Sequence, residues 1–215
     1  MAESGPDPER DEDAAEGGPV DEGDEAAGEG GSVNEVAVFV VLDYLPQGRP
    51  DDRGHQSGKA PIAHAIGEAS FRLVECTLDR DADVSFGDRL PENDDAITRL
   101  RDIEYDDLTS TARSELEYVL EEITEREERR FVDIYNDAQP ITLRLHQLNL
   151  LPGIGEKLRN TILDKRKRRP FESFEDVSER VAGLHDPRQV LVDRVLEELR
   201  EEDLKYRMFV RQETR

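Results

Sequence analysis

The chain has 215 residues, a formal net charge of −23 and a single cysteine, Cys76. That length allows one or two modest domains, and the lone cysteine excludes an internal disulfide and suits a reducing compartment. With no apolar run of spanning length and no apolar leader, the expectation is a cytoplasmic protein without membrane contact.

The first 34 residues hold twelve acids and one base, which leaves that segment at −11 and the rest at −12. So little apolar surface cannot offset the entropy of ordering, and residues 1–34 are expected to form a disordered acidic tail. Arginine outnumbers lysine 24 to five. Abundant acids with few lysines point to a halophilic setting, where molar salt screens surface repulsion to about 3 Å and a hydrated acidic surface keeps the chain soluble.

EVAVFVVLDYL (35–45) is rich in β-branched and aromatic residues and predicts a buried strand ending before Pro46. Further strand-like runs are IAHAIGE (62–68), SFRLVECTLD (70–79) and ITRLRDIEY (97–105), with a turn at Gly87-Asp88. Short strands at this spacing predict a small OB-like β-barrel over 35–107, with a plain antiparallel sheet as the alternative. Helical periodicity then takes over in a connector, 108–140. Thr109 is placed as an N-cap and Leu116, Val119, Leu120 and Ile123 form one apolar face. Residues 141–201 read as short helices: ITLRLHQLNL, then GEKLRNTILDKRKRR stopping before Pro170, then SFEDVSERV capped by Ser173, then a helix with Pro187 at its first position. LKYRMFVR, within 202–215, predicts a strand returning to the barrel. The fold class is therefore α+β: an OB-like barrel followed by an all-α domain.

LLPGIGEK raises the functional question. Between Arg144 and Arg169 eight cations face only Glu156 and Asp164, a local balance of +6 in an acidic chain. Gly153 and Gly155 can take positive φ and leave the backbone uncovered, Ile154 anchors the turn, and the amides opening the next helix form an anion site. The charge run alone also fits a solvated helix C-terminus.

Leu151, Pro152, Gly153, Ile154, Gly155, Lys157 and Leu158, with the continuation ILDKRKRRPFESFEDV, resemble the helix-hairpin-helix family of nucleic-acid-binding modules. The second half, SFEDVSERVAGLHDPRQVLVDRV, resembles a degenerate second copy whose turn has lost one glycine. The resemblance implies a tandem unit over 141–201 that contacts phosphates with little base readout. It assigns nucleic-acid contact to Pro152, Gly153, Ile154, Gly155, Lys157, Arg159, Lys165, Arg166, Lys167, Arg168 and Arg169. It also implies a monovalent cation, K+ or Na+, on the carbonyls of Asn149, Leu151 and Ile154. Glu156 departs from the pattern, standing where a lysine is common.

VLDYLPQGRP, FRLVE, YDDLTSTARSEL, FVDIYNDAQPITLRLHQLNLLPGIGEK and KYRMFVR together resemble an archaeal family that carries an RNA- or nucleotide-binding label without an established activity. In an OB-like barrel, bases stack on aromatics in a basic groove. Phe39, Tyr44, Phe71, Phe86 and Tyr105 are the stacking candidates, with Arg49, Arg53, Lys59 and Arg72 for phosphate and His55 in the same loop.

Enzyme chemistry is weakly signalled. Asp176 lies near the distance at which helix-hairpin-helix glycosylases place a catalytic Asp, but helix capping accounts for it. His55, His64, His146 and His185 have no ligand spacing, and Cys76 has no evident partner. The expected function is non-catalytic, largely sequence-independent nucleic-acid binding, RNA slightly ahead of DNA. The alternatives are a structured-DNA repair or recombination accessory, or an adaptor on ribosomal or RNA-processing proteins.

Overall fold

β1 (Val38–Leu45), β2 (Ile62–Gly67), β3 (Leu73–Leu78), β4 (Arg89–Pro91) and β5 (Ile97–Asp102) pair antiparallel in the order β4-β1-β2-β3-β5. This is a computed structural model that describes residues 36–49, 59–201 and 203–210; the acidic segment 1–34, Arg53 and His55 lie outside the described residues. The five strands curl into a half-barrel. β4 and β5 are its two edges and do not pair with each other, so the sheet stays open. A three-residue β4 and the charged Arg99, Arg101 and Asp102 of β5 discourage pairing with other chains.

Both faces of the sheet are covered. Phe39, Val41, Ala63, Ala65, Val74, Cys76 and Leu78 pack together on one face. Val40, Leu42, Ile66 and Leu73 join the helical core on the other. Burial on both sides explains why β1 is an almost unbroken apolar run and not an alternating one.

Five helices follow: α1 (Ser110–Arg126), α2 (Glu128–Asp137), α3 (Glu156–Arg168), α4 (Phe174–Arg180) and α5 (Pro187–Arg200). α1 lies on β1 and against α5. Its expected apolar face of Leu116, Val119, Leu120 and Ile123 is fully buried. The expected caps are in place: the Thr109 hydroxyl accepts from the Ala112 amide, and the Ser173 hydroxyl accepts from the Asp176 amide. Thr109 also fixes α1 to the sheet, donating through Oγ1 to Asp43 at 2.6 Å and through its amide to His64 Nδ1 at 3.3 Å.

Two sequence expectations are corrected here. ITLRLHQLNL is not an α-helix. Only Gln147–Leu150 turns, as a 3-10 segment, and Pro140 and His146 form an isolated bridge around a loop. The cause is local: Thr142 Oγ1 accepts from the Arg144 and Leu145 amides at 3.3 and 3.0 Å, which competes with helical pairing. LKYRMFVR forms no strand among the described residues. The amides of Met208, Phe209 and Val210 instead donate to the Glu198 carboxylate at 2.7, 2.9 and 3.0 Å. The segment does return to the sheet, because the Phe209 ring packs 6.0 Å from Phe71 and 6.5 Å from Phe131.

Arginines join elements by donating to backbone carbonyls. Arg130 reaches Glu68 O and Ala69 O at 3.0 and 2.6 Å, and Arg180 reaches Lys165 O and Arg169 O at 2.9 and 2.6 Å. Arg207 closes the end of α5 on Glu198 O and Glu201 O, both at 2.8 Å. The forked guanidinium does what a lysine cannot, holding two acceptors in fixed geometry.

Candidate nucleic-acid interface

The 3-10 turn at Gln147–Leu150 leads through Leu151–Gly155 into α3. Leu148, Leu151 and Ile154 are buried and seat the turn on the helical core. Gly153 has φ of +74°, which favours glycine. Gly155 does not follow the expectation of positive φ: at φ −81° and ψ −177° it is ordinary extended backbone, the N-cap of α3. A Cβ added at Gly155 meets nothing within 4 Å. No side chain caps α3 or α2, which follows α1 directly, whereas Thr109, Ser173 and Asp186 cap α1, α4 and α5.

The cations divide into those the fold uses and those it leaves open. Among the described residues, no hydrogen bond or ion pair holds the side chain of Lys157, Lys165, Lys167 or Arg168, and Lys157, Lys167 and Arg168 are exposed. Arg166 is structural, since its guanidinium donates to Tyr135 O at 3.0 Å and Ala138 O at 2.8 Å and so closes the C-terminus of α2. Burial lowers its pKa from the usual arginine value, with Asp137 opposing. Arg159 buttresses the turn, donating to Asn149 Oδ1 at 3.0 Å while Asn149 Nδ2 donates to Ile154 O at 3.1 Å. Arg169 pairs with Glu172 at 3.2 Å and Asp176 at 2.8 Å. Pro152 is half-buried beside the exposed Gly153.

Of the carbonyls assigned to a cation, Leu151 O accepts from the Ile154 amide at 3.1 Å and Ile154 O from Asn149. Each keeps a second lone pair. The groove beside the turn is lined from the other side by Asp193, Arg194 and Glu197 of α5. Sequence reasoning missed these, since nothing local ties α5 to a turn some forty positions earlier.

The groove between α4 and the start of α5 differs in charge. It lies past the turn at Gly183 (φ +96°), and its charged lining is Glu125, Glu128, Glu175, Asp186 and one cation, Arg188, a net acidity that disfavours phosphate. Asp176 is tied to helix capping and to Arg180 at 2.7 Å. Burial opposes its ionisation, but hydrogen bonds from Arg180 and the Glu172 amide and the charges of Arg180 and Arg169 hold its carboxyl below the usual range.

The sheet's aromatics are mostly committed to packing. Phe39 and Phe71 are buried, and Tyr44 and Tyr105 are half-buried. Phe86 is exposed but lies 6.3 Å from Tyr118. Arg49 pairs with Glu75, Lys59 Nζ donates to Arg49 O at 2.7 Å, and Arg72 pairs with Asp102 at 3.0 Å.

Two imidazoles are buried with backbone amides donating to them. His146 Nδ1 accepts from Leu148 N–H at 3.1 Å and starts the 3-10 turn, and His64 Nδ1 accepts from Thr109 N–H. Burial lowers both pKa values; Arg166 and Arg159 reinforce this at His146, and Glu75 opposes it at His64. A protonated ring cannot accept, so the neutral form is the folded form. With the folded pKa below about 6.5, this stability is complete above pH 6.5 and is lost as pH falls below it. Imidazole NMR titration should place both midpoints below 6.5; a midpoint above it would refute this account.

A family model described as "Protein of unknown function (DUF655)" matches residues 34–211. The chain belongs to the DUF655 family. It is similar to the uncharacterised protein MJ0038 of Methanocaldococcus jannaschii, with 39% identity over 178 residues covering 80% of this chain and 78% of that protein. It is also similar to a solved DUF655 structure, Af1531 of Archaeoglobus fulgidus, with 37% identity and a TM-score of 0.75 over 81% of this chain and 99% of that one. Both DUF655 relatives are archaeal. No helix among the described residues is long and apolar enough to cross a membrane.

Proposed function

We propose that the chain is a non-catalytic, largely sequence-independent nucleic-acid-binding protein, with single-stranded RNA slightly preferred. The turn at Leu151–Gly155 and α3 act as a helix-hairpin-helix phosphate site, and the half-barrel acts as an OB-like companion. One observation carries this reading: the fold makes no internal demand for glycine at Gly155, yet glycine stands there beside an uncapped helix start. Leaving out a side chain keeps the first amides of α3 open to an outside acceptor, and phosphate oxygen suits such a site. Lys157 at one end of α3 and Lys167 and Arg168 at the other extend it with cations that no described residue pairs.

A monovalent cation on the carbonyls of Asn149, Leu151 and Ile154 fits the same geometry, since Asp193 and Glu197 line that groove. The non-catalytic part of the reading is supported by Cys76, whose thiol burial pushes up to about 12, and by the committed imidazoles of His64 and His146. Asp193 and Glu197, with Arg194 between them and paired to Glu197 at 2.9 Å, leave the groove wall net acidic and favour a second reading, an adaptor for a basic segment of a ribosomal or RNA-processing protein.

Fluorescence anisotropy in molar KCl decides, with single-stranded RNA, single-stranded DNA, duplex DNA and a structured RNA as probes. Gly155→Val fits the extended backbone and should stay folded. It should weaken binding about tenfold, roughly 1.4 kcal/mol, as should Lys167→Gln with Arg168→Gln. Preference for structured DNA selects the repair-accessory alternative. Wild type binding no probe at micromolar protein would sink the direct-binder reading.

A further inference from the structure

Leu143 stands clear of the protein, with a relative exposure of 107%. The other large exposed apolar residues, Val36, Phe86 and Tyr118, keep about half their surface covered, at 46%, 44% and 51% exposure. Leu143 is not left out by a slack segment. It crowns a loop held by hydrogen bonds from the Ile141 and Thr142 amides to Leu145 O at 2.8 and 3.0 Å and by the two amide donations to Thr142 Oγ1. The foot is tied twice between Gln139 and Gln147, at 2.9 and 2.6 Å, and rests where Arg166 grips Ala138 O. The chain therefore builds a braced support that presents one leucine to water.

The surroundings identify the occupant. Arg144, next along the loop, is exposed and no described residue pairs with its guanidinium. The foot meets the C-terminal half of α3, which carries Lys167 and Arg168. An apolar tip with an uncommitted cation beside it, on a loop whose foot meets the basic end of α3, matches a ligand that offers apolar faces and anionic groups at regular short intervals. Nucleic acid has that chemistry when its bases are unstacked, as in single strands, ends and junctions; apolar side chains wedge against bases in this way.

We infer that Leu143 is a base-contacting wedge, with Arg144 on the adjoining phosphate, so that the protein selects nucleic acid with unstacked bases over continuous duplex. This inference rests on the nucleic-acid reading of the turn and α3.

The chain contains no tryptophan, so Leu143→Trp installs a unique fluorophore at a position where nothing in the fold is displaced. The full chain is titrated in KCl with a short single-stranded RNA and a long blunt duplex. Leu143→Ser should bind the single strand about five- to tenfold more weakly, the scale of one lost base contact, and the duplex unchanged. The introduced indole should be quenched by the single strand, with the same midpoint as the anisotropy. Unchanged single-strand binding by Leu143→Ser, or unchanged indole emission at saturation, overturns the wedge. If Lys167→Gln with Arg168→Gln still weakens binding in that case, the phosphate site survives without it. If wild type binds neither probe, both readings fall.

Discussion

Glu198→Ala should lower the unfolding free energy by about 3–5 kcal/mol, the range for breaking a buried ion pair by removing one partner. The carboxylate is fully buried on α5. It takes one charged donor, Arg194 Nε at 2.9 Å, and the three successive amides of Met208, Phe209 and Val210. Removal takes the Nε partner from Arg194, which is 4% exposed and keeps only Glu197 at 2.9 Å and Tyr206 O at 2.6 Å, and orphans three amides that no strand neighbour can accept. Phe209 would then lose its place between Phe71 and Phe131. Denaturant unfolding checks the magnitude, and limited proteolysis should show new cleavage near the C-terminal segment. A loss under about 1 kcal/mol, small beside that range, with the segment still protected, would mean that Phe209 alone holds it.

Arg166→Gln should cost about 2 kcal/mol of stability, from two charge-assisted hydrogen bonds to the end of α2 on a partly exposed side chain. Lys167→Gln with Arg168→Gln should leave stability within about 0.5 kcal/mol, as expected for exposed substitutions. Neighbouring cations thus serve different ends, and a variant neutralising Arg166 with the others would confuse unfolding with lost binding. Thermal melts of the separate variants test this. Equal melting for Arg166→Gln and wild type would refute the structural role.

Much of the fold was legible because its signals are local. Thr109, Ser173 and Pro187 announce helix starts within three or four residues, and the apolar density of 38–45 reflects a strand covered on both faces. The loop at 140–146 was misread because periodicity ignores the Thr142 hydroxyl. The C-terminal segment was misread because its acceptor is a side chain about ten residues back, not a neighbouring strand. In the site, the glycine turn was visible and the distribution of its cations was not. A signal existed: Leu158, Ile162 and Arg166 recur every four residues, so Arg166 shares the inward face while Lys167 and Arg168 do not. That α2 supplies the carbonyls, and α5 the acidic wall, depends on packing between distant segments.

The arginine forks on backbone carbonyls also govern how the protein answers to brine. Each couples a cation to a neutral dipole at contact distance, 2.6 to 3.0 Å in Arg130, Arg166, Arg180 and Arg207. Even the roughly 3 Å screening length of 1 M salt barely reaches inside such a contact. The joints are therefore nearly indifferent to desalting. Mutual repulsion among the acids is long-ranged and grows as counterions are withdrawn. Dilution would load the skin of the molecule and leave its rivets untouched, so the steepness of any low-salt unfolding would measure the surface alone.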